Sequence, residues 1–177
     1  MEYMLMPLRR YADFSGRSRR TEFWMFVLFQ FLIGMGFIVL MMVLGGAAVL
    51  SGDPSQAMAM GGIILVLYLL LALVGLAFLI PNLAVTVRRL HDTDRSGWWI
   101  MLYWGPYILM LLAGGMVGMS AASGGDGMAG GAVGLIAMIA WLVGSLVLLV
   151  FMFLEGTRGP NKYGPDPKQP TPEKVFA

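Results

Sequence analysis

Val87-Arg-Arg-Leu-His-Asp-Thr-Asp-Arg-Ser-Gly-Trp-Trp99 is the one charged island in the middle of an otherwise apolar chain. It holds the only histidine, three arginines, two aspartates and a tryptophan pair, with a long apolar run on either side. A polar stretch between two such runs reads as a loop joining membrane-crossing helices, and the fold class follows from it. Composition agrees: of 177 residues, 58% are hydrophobic and 12% charged. A soluble domain carries about twice that charged share, so lipid rather than a globular core must cover most of the apolar surface.

Working outward gives four spans, at about 23–50, 61–87, 98–119 and 130–154. Each is long enough for a hydrocarbon core of about 30 Å. The second exceeds it and should tilt or bend at Pro81, which cannot donate to the carbonyl of Ala77. The first is far longer than the apolar core of a cleaved signal peptide. Thr21 is expected to cap it, and Glu22 sits at the positive end of its dipole. Ser51–Met60 and Ser120–Ala129 read as loops. Before the first span, Met4, Leu8 and Tyr11 recur at helical spacing with Pro7 in a first turn, which predicts a short amphipathic helix on the membrane surface.

Charge placement sets the topology. All 12 Lys and Arg fall in three segments, namely the front of the chain, the central island and the tail. The two remaining loops carry only Asp53 and Asp126. Positive segments stay cytoplasmic. The expectation is an all-α membrane protein of four transmembrane helices in two hairpins, N-in and C-in, with an irregular cytoplasmic cap. Residues 1–167 form one four-span domain, and 168–177 a flexible cytoplasmic tail.

Several chemistries drop out. With Cys 0 and His 1 there is no thiolate or multi-histidine metal centre, and no metal or cofactor is expected. The spans contain no Asp, Glu, Lys, Arg or His, which counts against ion-coupled transport. The basic residues have a membrane-orienting explanation, so no nucleic-acid partner is expected. Gln30 and Asn82 lie at similar depth in spans one and two. They form either a shallow polar niche open to the cytoplasm or ordinary interhelical hydrogen bonds, and the second reading is favoured.

Three motifs stand in order, separated by apolar pairs of spans. They are Phe14-Ser-Gly-Arg-Ser-Arg-Arg-Thr-Glu-Phe-Trp24, Arg88-Arg-Leu-His-Asp-Thr-Asp-Arg-Ser-Gly-Trp-Trp99 and Glu155-Gly-Thr-Arg-Gly-Pro-Asn-Lys-Tyr-Gly-Pro-Asp-Pro167. Together they resemble a bacterial inner-membrane family known as domain of unknown function eight-hundred-and-five, over Tyr11 to Pro167. The resemblance implies a small multi-pass protein of the bacterial inner (cytoplasmic) membrane and no particular activity. The Gly/Met/Ala-rich stretch Ser120–Gly134 matches no pattern of the family.

The residues themselves suggest a site. Arg17, Arg19, Arg20, Arg88, Arg89 and Arg95 would meet lipid phosphates or a partner at the cytoplasmic leaflet. Glu22, His91, Asp92, Asp94, Glu155, Arg158, Asn161 and Tyr163 are the candidates for a network joining the motifs, with Glu155 pairing an arginine at the front. His91 with Asp92 and Asp94 could form an acid/base pair. A structural histidine in a turn is preferred, because no nucleophile or electrophile accompanies it, and no catalytic residue is assigned. The expected function is a non-enzymatic membrane component whose cap binds anionic lipid or a partner protein. Its glycine-rich helices would suit a homo-oligomer or membrane partner. The alternative is a small transporter subunit or an inner-leaflet lipid-acting enzyme.

Overall fold

The computed structural model describes residues 2–168, so the expected flexible tail, 168–177, lies outside the described residues except for Lys168. It is all-helical: α1 (Glu2–Arg9), α2 (Arg20–Ser51), α3 (Pro54–Asp92), a 3-10 turn (Gly97–Ile100), α4 (Met101–Ala122) and α5 (Met128–Phe153). Four helices are long and apolar enough to cross a membrane, counting the 3-10 turn with α4.

The helices run further than the sequence reading allowed. Ser51–Met60 is not a loop, because α3 starts at Pro54. Proline is tolerated at a first helical position, and Asp53 ahead of it is a strong N-cap. Its Oδ1 accepts the Ser55 amide at 2.9 Å. The Ser55 hydroxyl and amide together hold the Asp53 carboxyl below its ordinary range. At the other connection α4 continues to Ala122 and α5 begins at Met128, after Gly127 at φ 63°. Thr21 does not cap α2 but lies inside its first turn, behind Arg20. Side-chain capping cannot act from a position already in the helix. With 39 residues, α3 spans about 58 Å, well beyond a hydrocarbon core of about 30 Å. Its last turns therefore extend past the apolar run and carry Arg88 to Asp92.

The chain divides into two compact units, one made of residues up to Phe14 with Thr21–Val85, the other of Ser15–Arg20 with the chain from Thr86 onward. In the first unit Phe26 is fully buried, with its ring edge-on to Phe78 at 5.8 Å. One turn on, Gln30 and Asn82 exchange two hydrogen bonds at 2.9 and 2.7 Å. Pro81 leaves the Ala77 carbonyl without its helical donor, and the Tyr11 hydroxyl donates to that oxygen at 2.7 Å. Leu32, Val39, Leu73 and Leu76 are each more than half exposed, as befits a surface that lipid covers.

In the second unit small residues bring α4 and α5 together. Ala113, Gly130, Ala137 and Gly144 are buried. A Cβ at Gly144 would overlap the Leu102 carbonyl, so the backbones touch there as small-residue interfaces allow. Tyr103 packs on Trp141 at 5.5 Å and Trp99 on Phe151 at 5.3 Å, binding the start of α4 to α5.

Candidate functional site

The second unit gathers the front segment 15–20, the end of α3 and the tail. Asp92 is the last residue of α3, and its carboxylate lies between two guanidinium groups. Arg17 donates from Nε to Oδ1 at 3.0 Å, and Arg89, one helical turn before Asp92, donates to Oδ2. The three side chains are 1%, 0% and 4% exposed for Arg17, Arg89 and Asp92. Two buried cations and one anion would be costly alone. Carbonyl oxygens supply the remaining negative potential. Arg17 also donates to Gly159 O at 2.6 Å and Thr157 O at 2.5 Å. Arg89 donates to Leu154 O and Met152 O. Those last two belong to the end of α5, where carbonyls lack helical partners and the dipole is negative. One arginine thus satisfies a helix end and a carboxylate together.

The tail is tied down along its length. The backbone oxygen of Asp92 accepts the Thr157 amide at 2.8 Å and the Thr157 hydroxyl at 3.2 Å. Gly156 passes so close to the Asp92 carboxylate that a Cβ there would overlap it. Arg20 pairs with Glu155 at 2.8 Å, the expected link between front and tail. Arg19 holds Pro167 O. The turn 159–168 closes on Asp166, which accepts the Gly159 and Lys168 amides at 3.1 and 2.9 Å. These bonds, led by that from Lys168, hold its carboxyl below its ordinary range.

A family model spans the first two motifs and the third as far as Pro165, matching residues 11–165 under the description "Protein of unknown function (DUF805)". The chain belongs to this family. Relatives in Escherichia coli strain K12 are similar from end to end. The inner membrane protein YhaI is 36% identical over 168 residues, covering 95% of this chain and 97% of the relative. The inner membrane protein YhaH is 33% identical, covering 95% and 98%. The uncharacterized protein YiiR is 31% identical over 162 residues, covering 87% and 85%. No solved structure matches the chain. Four helices of crossing length and relatives of the inner membrane make this family member an integral membrane protein.

The arrangement reassigns several residues read from sequence. His91 and Asp92 do not form an acid/base pair, because consecutive helical residues diverge by about 100°. Both oxygens of Asp92 go to arginines, while His91 Nδ1 faces Gly16 O at 3.2 Å. The imidazole stacks on Tyr163 at 3.8 Å and 5°. The His91 carbonyl accepts from Asn161 Nδ2 at 2.9 Å. Asp94 stands apart, exposed, 3.7 Å from Lys162 Nζ.

Arg17, Arg88 and Arg89 are buried. The Arg88 backbone oxygen accepts the Ser18 amide at 3.2 Å. Arg95 lies over the Phe151 ring at 4.0 Å. Glu22 is buried and falls in the other unit, while Arg158 is exposed. Gln30 and Asn82 satisfy each other, which supports interhelical bonding over an open niche. Among the described residues no cluster could hold a metal ion. Sequence reasoning missed Gly16, Gly156 and Thr157. Gly156 admits the close approach to Asp92 because it has no Cβ, and a lone glycine in sequence does not mark that.

Proposed function

We propose that the protein is a non-enzymatic component of the bacterial inner membrane. In this reading its four spans form two hairpins with both termini cytoplasmic, and α1 lies on the inner leaflet. The folded cap binds anionic headgroups there. The observation that carries the reading is the fate of the charges in the second unit. Asp92, Arg17 and Arg89 are committed to one buried cluster that shapes the cap. Arg158 and Lys162 remain exposed on its surface, Lys162 in a solvent-facing pair with Asp94, and both can meet phosphate. Each basic group near an anionic surface contributes about 1 kcal/mol. The three basic segments and the acidic outer loops support the orientation.

The test is lipid retention by the purified full-length protein in native mass spectrometry. Phosphatidylglycerol should be retained by the parent protein and about thirtyfold less by Arg158→Ala/Lys162→Ala, as expected for two such contacts. Equal retention by both proteins overturns the anionic-lipid reading.

A further inference from the structure

Beside the buried cluster, His91, Ser96, Gly97, Trp98 and Tyr163 line an open hollow of about 370 Å³. We propose that this hollow binds the primary ammonium group of a zwitterionic phospholipid headgroup. The site takes a different ligand group, on different residues, from the anionic contacts proposed above. It rests on that reading only in placing the cap at the leaflet.

The argument starts at the imidazole. A carbonyl oxygen only accepts, so the His91 nitrogen facing Gly16 O, Nδ1, carries the ring proton. In the neutral ring Nε2 then bears a lone pair. Tyr163 covers one face of the ring and Asn161 holds the backbone carbonyl, so the imidazole is fixed. His91 lines the hollow, and in this tautomer its Nε2 is an acceptor, which suits an N–H donor and not a bare phosphate oxygen.

Two further groups favour a cation with an attached anion. Trp98 is 78% exposed on the rim, and an indole face attracts an ammonium more strongly than any other side-chain ring. Ser96 Oγ accepts the Trp98 amide at 3.3 Å, which leaves its O–H to donate to the phosphate that follows the ammonium. Lys162 stands 5.1 Å from the Tyr163 ring centroid, and Asp94, 3.7 Å from it, offsets that charge. The position fits a headgroup, because the hollow opens where α3 has ended and the apolar run of α4 begins. Gly97 keeps the turn seated, since a Cβ there would meet Val87 Cγ1 at 2.8 Å.

Trimethylation separates this site from general lipid adhesion, because phosphatidylcholine keeps the charge but has no N–H to give Nε2. In native mass spectrometry the full-length protein should retain phosphatidylethanolamine over phosphatidylcholine by about fivefold. The ratio should fall to about one in His91→Phe, whereas Trp98→Leu, which removes a ring that attracts either cation, should lower retention of both lipids about fivefold. Trp98 is exposed, so its replacement keeps the test valid even where the His91 variant does not fold. Displacement of the lipid by free O-phosphoethanolamine at equal concentration would support the site with a soluble ligand in place of a lipid. Equal retention of the two lipids by the parent protein, or phosphatidylethanolamine retention unchanged by Trp98→Leu, overturns the proposal. Retention of phosphatidylglycerol and its loss in Arg158→Ala/Lys162→Ala are read separately, so failure of one reading is distinguishable from failure of the other.

Discussion

Asp92 stands between two buried guanidinium groups, and removing its charge leaves both unbalanced. Asp92→Asn should destabilise the protein by about 3–5 kcal/mol, the cost of breaking a buried ion pair from one side. Chemical unfolding in detergent measures it; a loss under 1 kcal/mol would mean that the carbonyl oxygens alone hold the arginines. Asp94 presents the opposite case. It ends α3 with the Arg95 amide on Leu90 O at 2.9 Å and its own amide on His91 O at 3.1 Å, a position that favours glycine. Asp94 adopts it at φ 58°, a conformation that strains an L-residue by about 1 kcal/mol. Asp94→Gly forfeits only an exposed pair with Lys162, worth at most about 0.5 kcal/mol. The substitution should therefore raise stability, and a decrease on the same unfolding measurement would show that the Asp94 side chain holds something more. Neither cluster nor strain was legible in the sequence. Arg17 and Asp92 are 75 positions apart, and no local pattern encodes their meeting.

At the scale of the helices, Gln30 and Asn82 stabilise α2 against α3 through a closed pair of amides. Gln30→Leu or Asn82→Leu alone should cost about 1 kcal/mol, typical of a polar contact between membrane helices. The double variant should recover most of that loss, because no polar group is then left unpaired. Additive losses in thermal unfolding would instead show that each amide has a further partner. Helix existence was readable from apolar run length, and the ends were not. The Asp53-Pro54 pair looks like a turn in isolation, yet Asp as N-cap and Pro at the first position also describe a helix start. Residues 54–59 are exposed, so the helix starts there on its N-cap and not on packing.

At the scale of the whole molecule, the proposed orientation predicts which positions face which side. The chain has Cys 0, so single cysteines can be introduced without background. Gln56→Cys and Ser123→Cys should react with a membrane-impermeant maleimide applied to spheroplasts, and Lys162→Cys only after permeabilisation. The reverse pattern would overturn N-in/C-in, and labelling of only one of the first two would overturn the paired hairpins.

The sequence by itself determined the all-helical membrane class, the four spans and the three motifs that mark the family. These follow from apolar run length and composition, which are local properties. It also marked Val87–Trp99 as the central charged stretch and Glu155 as a partner for a front arginine. Only the tertiary structure decided what those charges do. It buried Arg17, Arg88 and Arg89, gave Asp92 to two arginines instead of to His91, and left Arg158, Lys162 and Trp98 outside. The physical reason is that a charge's role depends on its solvation and its neighbours. Both are set by segments that lie far apart along the chain and meet only when it folds.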